Sequence, residues 1–123
     1  PPASPVQRAG WREVARWLLR LRLRYRVSGR SMMPVLAPDD EVLLDPKAAP
    51  QIGDIVVARH PHRLDVRLIK QLVDFDASGR AILAGLNPEE STDSRALGGV
   101  PVELVVGRVT SLLSREPGEA ERC

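Results

Sequence analysis

The segment at residues 65–73 restricts the fold most strongly, because apolar and polar residues alternate along it with a period of two. This alternation predicts a β-strand with one largely apolar face, formed by Val66, Leu68, Lys70 and Leu72. A lysine therefore shares a face with aliphatic side chains. Its amine either extends to water or stays buried with a lowered pKa, since burial disfavours the charged form.

Further strand-like segments surround this one, with turn-forming residues between them, at 21–27, 41–45, 54–59, 80–86 and 102–112. Aromatic residues form only 3% of the chain, so the core must be aliphatic, and its many valines favour strands. A length of 123 residues is sufficient for one domain with its own core. We predict a mainly β protein in which residues 21–113 form the folded domain.

The N-terminal part has a different pattern. Residues 1–9 are predicted to be a disordered lead-in, residues 10–20 an amphipathic helix, and residues 114–123 a polar tail. Residues 1–30 carry a net charge of +7, whereas residues 31–123 carry −5. A basic segment of this kind, spanning 8–26, can contact an anionic surface such as a membrane, or it can dock on the acidic body.

Two residues carry the candidate chemistry. Ser31 needs a base, and the usual histidine is available only in the exposed-looking turn His60-Pro61-His62. That turn also makes a weak metal site, so we expect neither a metal nor another cofactor. A Ser31–Lys70 dyad is the economical alternative, because a desolvated lysine can become a neutral base whereas an arginine cannot.

Several segments together resemble the type I signal peptidase superfamily of Ser-Lys proteases. Ser31-Met32-Met33-Pro34 is similar to its nucleophile box, and Leu68-Ile69-Lys70 to its general-base strand. Segments 40–44, 53–57 and 85–101 match its other boxes in the same order, so the resemblance covers about residues 25–110. Within the superfamily, residues 57–61 and 87–95 are most similar to the nickel-type superoxide dismutase maturation proteases.

The resemblance implies a fold of several coiled antiparallel sheets, as in signal peptidases and SOS-repressor proteases, with one N-terminal helix added here. It makes Ser31 the nucleophile and an oxyanion donor through its backbone N–H, and Lys70 the general base. Its substrate groove and oxyanion region would include Ser31 and the residues around it, Gly29, Met32, Met33 and Pro34. Polar support for the base would come from Ser91, Asp93 and Arg95.

Three residues depart from that family pattern. Gly29 stands where many signal peptidases have a serine hydroxyl as the second oxyanion donor. Leu86 replaces an acidic residue, and Gln71 replaces the arginine that usually follows the lysine. Either of the last two changes could weaken activity.

The function implied is removal of an N-terminal leader from a precursor polypeptide, with the nickel superoxide dismutase precursor as the expected partner. We expect a bacterial cytoplasmic location, with peripheral contact to the inner membrane as an open alternative. Two further alternatives are a leader peptidase for exported proteins and a catalytically decayed peptide-binding module. A self-cleaving repressor would need DNA-binding helices, and no nucleic-acid partner is expected.

Overall fold

The computed structural model describes residues 6–87 and 97–114. They contain an α-helix, α1, at Trp11–Leu18, and a short 3₁₀ helix at Val102–Leu104. The six strands are β1 (Leu23–Arg26), β2 (Glu41–Asp45), β3 (Ile55–His60), β4 (Arg63–Phe75), β5 (Ala81–Ala84) and β6 (Val105–Ser114). Among the described helices, none has the length and apolar content needed to cross a bilayer.

The six strands form one sheet in the order β1-β2-β6-β3-β4-β5, and every neighbouring pair is antiparallel. The mainly β, antiparallel fold with an N-terminal helix is thereby confirmed. The described strands join into one continuous sheet where the resemblance implied several. Strand β6 lies between β2 and β3, so the C-terminal strand links the two halves of the chain.

Both faces of the sheet are covered, which explains why β3 reads as a continuous apolar run. Ile55 and Val57 belong to a first core cluster, whereas Val56 and Ala58 belong to a second one on the alternate face. The first cluster also contains Met32 and Leu36 from the loop between β1 and β2. The loop that carries Ser31 is therefore fixed to the sheet by buried side chains.

Strand β4 is the longest strand, and its two neighbours cover it unequally. Strand β3 pairs with it between Arg63 and Gln71, whereas β5 pairs with it only between Gln71 and Phe75. Within the described residues, the edge of β4 that faces away from β3 is therefore unpaired before Gln71. We call this stretch, Arg63 to Lys70, the open edge of β4.

The observed bounds differ from the predicted ones mainly at strand ends. Strand β2 has the predicted bounds, but β5 ends at Ala84 because Leu86 and Asn87 turn away to bond the Ser31 loop. Residues 102–104 form a 3₁₀ turn before β6, closed by a hydrogen bond from the Leu104 N–H to the Pro101 carbonyl, 2.9 Å long.

Candidate active site

Lys70 is buried in the middle of β4, where only 4% of its surface is exposed. It lies opposite Val56 of β3, and Leu68 and Leu72 share its side of the strand. No ion pair or hydrogen bond reaches its amine from the described part of the chain. Burial lowers the pKa of Lys70 from its ordinary value of 10.5, because the charged form is poorly solvated there. Of the two positions that the sequence allowed, the structure has the buried one.

Ser31 begins the turn that follows β1, and its backbone carbonyl is the point at which this loop is tied to the sheet. The carbonyl oxygen accepts two hydrogen bonds, from the N–H of Leu86 at 2.7 Å and from the N–H of Asn87 at 2.8 Å. The side-chain amide of Asn87 also donates to the Arg30 carbonyl at 3.0 Å. Asn87 thus holds two consecutive residues of the loop, a role that the sequence did not indicate.

The end of β5 connects the Ser31 loop with the strand that carries Lys70. Ala84, the last residue of β5, pairs with Gln71, so Gly85 lies across from Lys70 when that register continues by one residue. The next residue is Leu86, which bonds the Ser31 carbonyl. The pair Gln71–Ala84 and the hydrogen bond from Leu86 therefore place the Ser31 loop close to the part of β4 that contains Lys70.

The two side chains are not hydrogen-bonded to each other, and within residues 6–87 and 97–114 neither makes another hydrogen bond. Catalytic hydrogen bonds are often long in unliganded sites and shorten when substrate binds. The Ser31 loop and the strand with Lys70 are neighbours at the end of β5, although Met32 packs in the first core cluster and Lys70 lies opposite Val56 of the second.

Gly29 and Ser28, which precede Ser31, are the positions from which a second oxyanion donor was considered. Gly29 has a φ of 77°, in the left-handed region that disfavours a side chain, although open space surrounds the position of its missing Cβ. Burial raises the pKa of the Tyr25 hydroxyl, partly opposed by a hydrogen bond with Ser28 and by the charge of Arg67.

The residues after Ser31 divide between core and surface. Met32 has no exposed surface and packs in the first core cluster. Met33 is half-buried and Pro34 is exposed. Of the two methionines, only Met33 offers surface to a bound peptide.

Two of the three departures from the family pattern, Leu86 and Gln71, have structural explanations. Leu86 packs against the first core cluster, so an apolar side chain suits that position. Gln71 is 3% exposed, and its amide donates to the Gly53 carbonyl at 3.4 Å on the β3 side. The expected supporting residues Ser91, Asp93 and Arg95 lie outside the described residues.

The histidine turn offers no second site. The rings of His60 and His62 are 5.8 Å apart, and the His62 N–H donates to His60 Nδ1 at 3.0 Å. Residues 6–87 and 97–114 contain no group of three potential metal ligands.

Replacing Lys70 by methionine should raise the free energy of unfolding at neutral pH, because a charge is no longer buried there. The unfolded chain carries one proton more than the folded chain between the lowered pKa of Lys70 and its ordinary value of 10.5. The free energy of unfolding of the wild type therefore rises with pH across this window. The difference in this free energy between Lys70→Met and wild type should become smaller as the pH approaches 10.5. Urea unfolding of both proteins over this range measures the difference.

The matched control is Lys47→Met, which removes the chain's only other lysine from an exposed position. The difference in free energy of unfolding between Lys47→Met and wild type should stay the same over the whole pH range. A pH-independent difference for Lys70→Met as well would contradict the buried-amine interpretation.

Comparison with known proteins identifies the family of the chain. The family described as "Peptidase S24-like" matches residues 23–109, which include Ser31, Lys70 and five of the strands in full. The chain is also similar to "Mitochondrial inner membrane protease subunit 1" of Xenopus tropicalis, at 30% identity over 105 residues. That match covers 67% of this chain, and the chain spans 63% of the relative's length. With most of its sheet inside the matched region, the chain belongs to the Peptidase S24-like family.

Proposed function

We propose that this protein is a serine endopeptidase in which Ser31 is the nucleophile and Lys70 the general base. The observation that carries the proposal is the buried side chain of Lys70, whose amine has no ion pair or hydrogen bond within the described residues, on the strand next to the end of β5 that bonds the Ser31 loop. The peptidase family of the chain supports it. The similar relative is itself named as a protease subunit.

The chemistry needs a lysine at position 70. A hydroxyl becomes a nucleophile only when a base takes its proton, and the base must be neutral to do so. The lowered pKa of Lys70 increases the neutral fraction near physiological pH. An arginine at position 70 would keep its proton and could not act as a base, so a positively charged residue of either kind would not be sufficient for the reaction.

The reaction takes two steps with one base. Lys70 Nζ accepts the proton of Ser31 Oγ while this oxygen bonds to the scissile carbonyl carbon. The C–N bond then breaks, and the Lys70 ammonium gives its proton to the leaving amine, which leaves an acyl ester on Ser31. Water attacks the ester after losing a proton to Lys70, and that proton returns to Ser31 Oγ as the acid departs.

The oxyanion of the tetrahedral intermediate would lie against the Ser31 backbone N–H, which donates to no acceptor in the described part of the chain. Gly29 cannot supply the second donor through a side chain, so the Ser28 hydroxyl, water or a contact with the bound peptide would supply it.

The open edge of β4 provides a place for the peptide. Leu72 directs its backbone toward β3, since its N–H donates to Asp54 and its carbonyl accepts from Gly53, both at 2.8 Å. Successive residues of a strand direct these groups to opposite edges, so Arg67 and Ile69 direct theirs outward. A substrate strand pairing with these residues would run alongside Lys70 and approach Ser31.

The substrate we propose is a leader-bearing precursor, with nickel-type superoxide dismutase as the first candidate, cleaved in a bacterial cytoplasm. Support comes from the resemblance of residues 57–61 and 87–95 to maturation proteases of that enzyme. The part of the second segment beyond Asn87 lies outside the described residues.

A second candidate function is a leader peptidase for exported proteins that acts at a membrane surface. Exposed Trp11, Leu18 and Leu19 favour it, because they form an apolar surface next to arginines. The similar relative is named for the mitochondrial inner membrane, which is consistent with this alternative.

Ser31→Ala and Lys70→Met should each reduce cleavage of the precursor by on the order of 10³-fold or more, as loss of a triad member does in other serine proteases. The measurement is mass spectrometry of new N-termini after incubation with purified nickel superoxide dismutase precursor and with a leader-bearing secretory precursor. The precursor that is cut at one site identifies the substrate class.

Matched controls are Ser114→Ala and Lys47→Met, which remove the same side chains from exposed positions. Both should cleave at the wild-type rate. Normal cleavage by Lys70→Met would eliminate the dyad, whereas binding of a precursor without cleavage by wild type would support the decayed module.

Arg67→Pro should raise KM, because proline removes one outward N–H from the open edge of β4. Loss of one hydrogen bond, about 0.5–1.5 kcal/mol, corresponds to roughly a 2- to 10-fold increase. Steady-state kinetics with the cleaved precursor measures it. Arg67→Ala removes the charge but keeps the N–H, so its KM should stay near the wild-type value, and an equal rise in both would count against strand pairing there.

A further inference from the structure

The N-terminal segment exposes apolar side chains that no described residue covers. The residues are Trp11, Leu18, Leu19, Leu21 and Leu23, with exposed fractions of 76%, 70%, 71%, 49% and 42%. No residue of α1 is buried. Scattered exposed leucines are common on proteins, but several within one short segment indicate a contact surface.

Helix α1 is attached to the sheet through its polar side. Glu13 accepts hydrogen bonds from the hydroxyls of Thr110 and Ser111 on β6 and pairs with Arg22 at 3.3 Å. Burial alone would raise the pKa of Glu13, but the hydrogen bonds from Thr110, Arg16 and Ser111 and the charge of Arg22 together lower it. Glu13 is therefore a charged anchor between the helix and the sheet.

The anchor turns the apolar side of the helix outward. At about 100° per residue, Trp11 and Leu18 lie roughly 160° and 140° around the axis from Glu13. A helix that packs on its own core has the opposite arrangement, with apolar residues inward. The orientation of α1 therefore leaves Trp11 and Leu18 available for a contact outside the described fold.

Positive charge accompanies this surface. Within the described residues, Arg8, Arg12 and Arg20 form no ion pair, whereas Arg16 and Arg22 pair with Glu13. The Arg12 guanidinium lies over the Trp11 ring, 5.4 Å from its centre. Apolar and cationic groups are thus presented together.

We propose that α1 and the residues up to Leu23 bind the surface of an anionic lipid bilayer, with Trp11, Leu18 and Leu19 at the headgroup boundary. The net charge of +7 over residues 1–30 matches anionic headgroups and repels a second copy of the same segment. Tryptophan and arginine are suited to this boundary, since each combines an apolar part with a polar end. Binding does not require Ser31, so it is independent of the proposed peptidase activity.

Flotation of the full chain with vesicles tests the proposal. The chain should float with vesicles in which phosphatidylglycerol replaces part of the phosphatidylcholine, and much less with phosphatidylcholine alone. Trp11→Ser/Leu18→Ser should weaken binding by about tenfold or more, through loss of buried apolar area. Arg12→Gln/Arg20→Gln should weaken binding and reduce its dependence on salt.

The control is Ile52→Ser/Leu64→Ser, which removes two apolar side chains that are exposed elsewhere, and its binding should equal that of wild type. In a Trp17→Phe protein, the fluorescence of Trp11 should shift to the blue on binding. Absence of flotation, equal flotation with both vesicle types, or a dimer that Trp11→Ser/Leu18→Ser abolishes would each overturn the proposal. Ser31→Ala should float like wild type even if the protein proves not to be a peptidase.

Discussion

Desolvation of one amine is the constraint on which this site depends. Lys70 lies within a strand that is packed on both faces, and no described carboxylate compensates its charge. Such a position costs stability at neutral pH, and the aliphatic core of the sheet must offset that cost. A chain that only needed positive charge would place it at the surface, as this chain does with its arginines. The burial of Lys70 is therefore explained by its proposed role as a general base.

The shortness of β5 has two consequences for the site. Because β5 ends opposite Gln71, the following residues are free to turn and bond the Ser31 carbonyl. For the same reason, no described residue pairs with β4 on that edge from Lys70 back toward Arg63. One strand end therefore positions the Ser31 loop and leaves the edge of β4 to which we propose that an extended peptide binds. The scaffold and the proposed substrate site come from the same feature of the register.

The two-residue period predicted the strands and the shared face of Lys70, Leu68 and Leu72, because side-chain alternation depends only on local geometry. It could not predict that β6 lies between β2 and β3, since strand order depends on contacts between distant residues. The clamp by Asn87 on the Ser31 loop was missed for the same reason. Helical spacing identified the apolar stripe of α1, but only the Glu13 contacts with β6 show which side faces the protein.

The titration of Lys70 tests the central claim most directly. In a protein labelled with carbon-13 at the lysine Cε position, the two lysines give two signals, and Lys47→Met assigns them. The account predicts that the Lys70 signal titrates with a pKa below 10.5 in the folded protein and returns to the ordinary value when the chain is unfolded in urea. A Lys70 pKa at or above 10.5 in the folded protein would contradict it.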